Sequence, residues 1–357
     1  MAVRRIDVRE SGIVGTVFES DDRPRGAVIV LSGSGGGIPD GYAERLANDG
    51  LTAFALGYFG SPGLPRALVE IPIEALRSGV HWFRERFAED QPVGVMGSSK
   101  GAELALVLGS RLGDAIGRIV AVAPTSVAWY GLDQTDPTSG NRSSWTWRGR
   151  PVPFLRYSVE VQPDLGPAGM RVDMCYDLAR YEAPDIEAAT IQVERCHGPI
   201  LLLSGSDDHM FPAAFFAKRI VERLSSLGRD SDVTSVVYPG AGHAFLHSEF
   251  FANVDAGGRP IWDFGGDPEA DKVAATDAWP RILSPRRRVP SLDGIQRPAQ
   301  NGSRNAFLPS LRSRSSASTP LRRRGEYPRR RSEFTDSFPT RGCGRLRSQR
   351  SQRRDER

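Results

Sequence analysis

Between Ala27 and Leu283 the chain alternates short apolar runs with longer stretches that are apolar along one side only. The runs "AVIVLS" at Ala27, "TAFAL" at Thr52, "VGVM" at Val93, "RIVAVA" at Arg118, "PILLLS" at Pro199 and "TSVVYP" at Thr234 read as strands. Several are apolar throughout, as strands of a parallel sheet buried on both faces are. The longer stretches predict helices over 42–49, 73–87, 99–112, 213–227 and 268–283. In the fourth of these, Phe216, Ile220, Leu224 and Leu227 recur every three or four residues and Lys218, Arg219 and Glu222 lie outside the stripe, as in a helix that covers a sheet. Strands and helices in alternation predict an α/β fold, a mainly parallel sheet with helices on both faces.

Two stretches break the alternation. Residues 127–193 are rich in Trp, Tyr, Pro and Gly, and "SSWTWRGRPVPFLRY" within them has no period. They predict a lid-like insertion over the sheet edge, with a surface loop carrying a few aromatics as the plainer alternative. After Leu283, Arg, Ser, Pro and Gly dominate and apolar periodicity ends. Such a composition cannot bury enough surface to offset the entropy of ordering, so disorder is expected from Ser284 to Arg357. The expected division is a folded domain over 1–283 and a tail over 284–357.

Charge sharpens this division. The net charge of +4 over 357 residues conceals twenty arginines against six acidic residues in the tail. The first 283 residues are therefore negative by about 10. No aromatic interleaving or RNA-binding motif accompanies the tail arginines, so nucleic acid is not an expected partner. An inert tail, a product of an altered reading frame and a basic arm for nucleic acid or an anionic surface are the readings left open. In the last of these the chain is a noncatalytic nucleic-acid-binding protein acting through its tail. No apolar run of signal-peptide length opens the chain, and none reaches the roughly 20 residues that span a bilayer. A cytoplasmic protein without a membrane partner is expected. Cys175, Cys196 and Cys343 form no CxxC pair, and the only close histidines are His243 and His247, so no metal site, disulfide framework or cofactor is expected.

The candidate chemistry starts at Gly97-Ser98-Ser99-Lys100-Gly101, a GxSxG placed where a strand should pass into a helix. In an α/β-hydrolase this is the nucleophile elbow, and the plainer reading of Ser99 is a serine capping the helix. A serine needs a histidine to take its proton and a carboxylate to hold that histidine, in chain order Ser, acid, His after successive late strands. After "PILLLSG" come Asp207 and Asp208. Asp208 is favoured, as the third residue past Gly205, and Asp207 reads as an exposed loop carboxylate. After "TSVVYP" comes His243 in "GAGHAF", with His209 and His247 as rivals. The oxyanion donors are expected from the backbone of Lys100 and of the loop Gly33–Gly37, with Ser34 and Gly35 the named candidates. That loop lacks the GK[ST] ending of a phosphate-binding loop.

The stretches "VIVLSGSGGG", "LANDGLTAFALGYFGSPGLP", "IPIEALRSGVHWF", "GSSKGAELAL", "SSWTWRGRPVPF", "GPILLLSGSDDHMFP" and "YPGAGHAF" carry a resemblance over about 28–283. The chain resembles the C-terminal catalytic domain of the acyl-CoA thioesterase and bile acid-CoA:amino acid N-acyltransferase family, an α/β-hydrolase related to dienelactone hydrolases. Members often carry an N-terminal β-sandwich, for which the 25 or so residues before the first core strand are too few. Its conjugating transferases use cysteine at the elbow and its thioesterases serine, so Ser99 implies hydrolysis of an acyl-CoA through an acyl-enzyme. Transfer to an amino acid and cleavage of oxygen esters are the alternatives. The resemblance implies no cofactor.

Overall fold

The computed structural model describes residues 3–20, 24–133, 135–136, 138–156, 163–176, 186–246, 254–255 and 258–284. The predicted tail beyond Ser284, Cys343 and the rival His247 lie outside them. Eight strands form the central sheet: β1 (Val3–Glu10), β2 (Ile13–Ser20), β3 (Ala27–Leu31), β4 (Thr52–Leu56), β5 (Val93–Ser98), β6 (Ile116–Val122), β7 (Ile200–Gly205) and β8 (Val233–Tyr238). Their order across the sheet is β1-β2-β4-β3-β5-β6-β7-β8. β2 alone runs against its neighbours, and every other pairing follows the parallel direction. This is the α/β-hydrolase arrangement expected from the sequence.

Helices α1 (Asp40–Asn48), α2 (Ile73–Phe87), α3 (Lys100–Leu112), α4 (Ala213–Ser226) and α5 (Pro268–Leu283) cover the sheet. Successive strand residues point to opposite faces, and the core divides accordingly. Ile29 and Leu31, Val95 and Leu202 join one apolar cluster with α2, α3 and α4. Val30, Met96, Leu201 and Leu203 join another with Leu46 of α1 and Trp279 and Ile282 of α5. The continuous apolar runs of the sequence are strands serving both clusters at once.

The first two strands were not anticipated. Residues 3–20 form a hairpin with Glu10 paired to Ile13, so that Ser11 and Gly12, with φ of 52° and 78°, make a two-residue turn. Both positive φ values match the right-handed twist of the flanking strands. β2 is buried through Val14, Val17 and Phe18, whereas β1 is an edge strand carrying Arg4, Arg5, Asp7, Arg9 and Glu10 on its exposed positions. Charges on an edge disfavour pairing with a second chain.

The insertion between β6 and β7 is seated in the body over its first part. A strand at Trp145–Trp147 pairs with Ile71–Pro72 on one side and with Arg150–Pro151 on the other, and the Trp145 side chain is wholly buried. Trp129 and Trp145 are core residues on short, separate pieces of backbone, which is why no period was readable.

Phe54 of β4 illustrates what holds the scaffold. It has no exposed surface and its ring centroid lies 5.4 Å from that of Trp82 and 5.3 Å from that of Phe83, both on α2. Phe54→Ala is expected to cost ~3–5 kcal/mol in urea unfolding. A loss under ~1 kcal/mol would show that α2 repacks onto the sheet without it.

Candidate active site

Strand β5 ends at Ser98 and α3 begins at Lys100, leaving Ser99 alone to turn the chain, at φ 55° and ψ −120°. A Cβ on Gly97 would stand 2.1 Å from the carbonyl oxygen of Gly101, and one on Gly101 would stand 2.4 Å from that of Ser32. Only glycine fits at either place, and this is the physical content of the GxSxG spacing. Ser99 N–H donates to the Val122 carbonyl at 2.9 Å, and its own carbonyl accepts the N–H of Ala102 at 2.9 Å and of Glu103 at 3.1 Å. Its side chain makes no capping hydrogen bond to α3. From Val95 to Gly109 every residue except Ser99 is buried. The turn therefore lifts one hydroxyl out of the core, and the plainer reading of Ser99 as a helix cap is not what the structure shows.

The loop after β3 passes over this turn. A Cβ on Gly33 would lie 3.3 Å from the Ser98 carbonyl oxygen and 3.6 Å from the Ser99 Cβ. The N–H of Gly36 donates to Gly33 O and that of Gly37 to Phe59 O, whereas those of Ser34 and Gly35 reach no acceptor among the described residues. Lys100 N–H, first in α3, is likewise free of a backbone acceptor there, as the first N–H groups of a helix are. Tyr58 OH donates to the Ser32 carbonyl at 2.7 Å and fixes the start of the loop. Gly33 thus lies close against Ser99, a closeness the sequence reading did not single out.

The candidate acid and base, Asp208 and His243, sit on the loops after β7 and β8. Asp208 Oδ2 accepts from His243 Nδ1 at 2.8 Å, and Asp208 Oδ1 accepts from the N–H of Met210 at 2.9 Å and of Phe211 at 3.1 Å. Both side chains are buried. A carboxylate held this way keeps the proton on Nδ1 and leaves Nε2 as the base. His243 N–H donates to the Phe264 carbonyl at 2.8 Å, and the Phe264 ring stacks on the imidazole at 6.0 Å while the Phe211 ring meets it edge-on at 5.3 Å. The side chains of Ser99 and His243 are not hydrogen-bonded to each other. They share the carboxyl edge of the sheet, where Ser98 pairs with Val122 in β6 and β6 pairs with β7.

The rivals have other employment. Asp207 bonds His209 Nε2 at 3.1 Å and the Gly266 N–H at 3.1 Å. The Nδ1 of His209 bonds Asp263 at 2.9 Å. This clasp ties the acid's loop to the segment bearing Phe264. Burial pushes the Asp263 carboxyl up, but the Gly265 N–H and His209 outweigh it and hold the group below the usual carboxylate range. Among the described residues no group of three His, Cys, Asp or Glu side chains is placed to hold a metal ion, and no helix is long and apolar enough to cross a membrane.

One further ionisable group escaped the sequence reading. Glu103, with no exposed side-chain surface, accepts from Lys100 Nζ at 2.7 Å, Trp145 Nε1 at 2.6 Å and Trp129 N–H at 3.1 Å. Burial lowers the Lys100 ammonium below its ordinary value, against the opposing pull of Glu103. A glutamate in the run "GAELALVL" was the available signal, since every neighbour in that turn is apolar or small.

The sheet order and the elbow define an α/β-hydrolase, and the chain belongs to the family described as BAAT / acyl-CoA thioester hydrolase C terminal, whose pattern matches residues 73–284. It is 31% identical to acyl-coenzyme A thioesterase 1 of Rattus norvegicus, covering 78% of this chain and 64% of that one. It is 30% identical to the mitochondrial acyl-coenzyme A thioesterase 2 of Mus musculus, covering 78% and 59%. It is 29% identical to acyl-coenzyme A amino acid N-acyltransferase 2 of Rattus norvegicus, covering 78% and 64%. The chain spans about six-tenths of the length of the curated relatives it matches.

Two stability measurements test this geometry. Ser99→Gly, which relieves the positive φ, is expected to raise stability by ~1 kcal/mol, while Gly101→Ala lowers it by ~2 kcal/mol or more through the clash with Ser32. Equal stability of the two would mean that the turn is unstrained. Asp263, held low in the fold, contributes stability that is present above its unfolded value of about 3.9 and lost as pH falls through the folded value. Asp263→Asn should therefore lower the melting temperature at about pH 7, and the difference should close as pH falls through the lowered folded value. A gap that persists in acid would assign the loss to packing.

Proposed function

We propose that the protein is a serine hydrolase of acyl thioesters, with acyl-CoA as substrate and a free carboxylic acid and CoA as products. The observation that carries this reading is Ser99, strained, partly exposed and not capping its helix, on the same sheet edge as a buried Asp208–His243 pair. Membership of the family and the names of the thioesterase relatives support the choice of thioesters over other acyl compounds.

In this mechanism His243 Nε2 takes the Ser99 proton as Oγ attacks the thioester carbonyl, and Asp208 stabilises the imidazolium that forms. The alkoxide is held by the Lys100 N–H and by the loop over the elbow, where the N–H groups of Ser34 and Gly35 reach no acceptor among the described residues and Gly33 lies against Ser99. His243 returns its proton to the leaving CoA thiolate. Water deprotonated by the same imidazole then attacks the acyl-enzyme and releases the acid. No step requires a metal or an organic cofactor.

A second outcome of the same acyl-enzyme is transfer to an amino acid, which the similarity to an N-acyltransferase favours. It differs only in the nucleophile of the second step. The same machinery would also accept an oxygen ester, since the fold does not set the leaving group.

The test is thiol release from a panel of acyl-CoA thioesters, with and without glycine or taurine, by the native chain, Ser99→Ala and Asp208→Asn. Expected are turnover insensitive to the amine and a loss of ~10⁴-fold or more in kcat for each variant. Full activity of Ser99→Ala would overturn the mechanism, and N-acyl product in place of free acid would make the protein a transferase.

A further inference from the structure

The buried Glu103 has no step in the mechanism above, yet the elbow and the insertion meet on it through three side-chain and backbone donors. Lys100, its ion-pair partner, is the first residue after the elbow. Trp145 and Trp129 belong to the insertion between β6 and β7. The Lys100 ammonium stands 5.3 Å over the Trp145 ring, which packs at 5.8 Å against Tyr58, the residue that holds the Ser32 carbonyl at the start of the glycine loop.

From Trp129 a row of aromatic contacts leads back to the base. Its ring meets Tyr176 edge-on at 4.8 Å, Tyr176 lies 5.9 Å from Phe211, and Phe211 lies 5.3 Å from the His243 imidazole. Trp129, Phe211 and Phe216 form one buried cluster, with Tyr176 and Met210 partly exposed along it. The row ends at the His243 imidazole, and its far end hangs on Glu103 through the Trp129 N–H.

Stability alone is a poor account of such a pair, because a buried ion pair costs desolvation that apolar side chains of similar volume would avoid. Positioning is a better one, since a carboxylate with three donors in fixed directions leaves the insertion a single way to sit. Resting on the hydrolase reading, we propose that Glu103 is a positioning residue: it fixes the insertion's aromatic row against the elbow and His243, and so sets which acyl chains are accepted. Its carboxylate touches neither substrate nor reacting atoms in this account.

The experiment measures kcat and KM on straight-chain acyl-CoAs from acetyl to palmitoyl, with the matching p-nitrophenyl esters in parallel, for the native chain, Glu103→Gln and Trp145→Phe. The second variant keeps the buried ring and removes one donor to Glu103, so it decides the matter if Glu103→Gln fails to fold. Expected is a change of ~tenfold or more in the ratio of kcat/KM between the longest and shortest chains turned over, carried mainly by KM. Labelling of Ser99 by a fluorophosphonate should stay within ~threefold of the native rate, because the serine, acid and base are intact. A lowered melting temperature with a chain-length ratio within ~twofold of native would make the network merely structural and overturn the proposal. If the native chain hydrolyses neither thioesters nor esters, the hydrolase reading falls and this one with it. An active native chain with unchanged selection in the variants removes this one alone.

Discussion

At the junction of β5 and α3 three stretches of backbone approach more closely than any side chain would allow. Gly97 lies against the Gly101 carbonyl, and Gly101 lies against the carbonyls of Leu31 and Ser32 at the end of β3. With glycine on both sides, the chain reverses within a single residue, and that residue, Ser99, is driven to positive φ. The cost of such a conformation, on the order of 1–3 kcal/mol, is sustained by the packing of β5 between β3 and β6 and by the buried length of α3. The same close approach sets the glycine loop over the turn, so Ser99 and the loop N–H groups proposed as oxyanion donors are positioned by one contact.

The remaining groups are held by bonds between loops. Ser206 and Asp207 donate to the carbonyls of Tyr238 and Ala241, which lock the loop after β7 to the loop after β8. Asp208 then has both oxygens engaged, and His243 is fixed at its ring by Asp208 and at its backbone by Phe264. The Asp207–His209–Asp263 clasp closes the arrangement from outside. Groups preorganised in this way need little rearrangement as charge develops, which is the main source of rate in hydrolases of this type. In the positioning role proposed for it, Glu103 extends the same logic to the insertion, through its bonds to Trp129 and Trp145.

Much of this was legible in the chain because its signals are local. A buried parallel strand is a run of apolar residues, a covering helix has a stripe, and α2 and α5 were placed at the bounds found. The order Ser99, Asp208, His243 could be read because each residue follows a recognisable strand. Asp208 rather than Asp207 was favoured by its offset from Gly205; in the structure His243 bonds Asp208, while Asp207 bonds His209 and the Gly266 N–H. Other features depend on partners distant in sequence. The hairpin at 3–20 carries charge on β1 and a short, mixed pattern, so only its Ser-Gly turn spoke for it. Trp145 and Glu103 are 42 residues apart, and nothing in either neighbourhood announces the bond between them. The role of Gly33 is a matter of approach, which composition does not record.

The central claim is that Ser99 carries the acyl group between the two half-reactions. The most direct test is to mix the protein with an acyl-CoA that it turns over, quench in acid within the steady state, and map the adduct by peptide mass spectrometry. The account predicts a mass increase equal to the acyl group on the peptide containing Ser99, and none on that peptide in Ser99→Ala. Acyl groups on Cys175 or Cys196, or turnover with no adduct at any time, would contradict it.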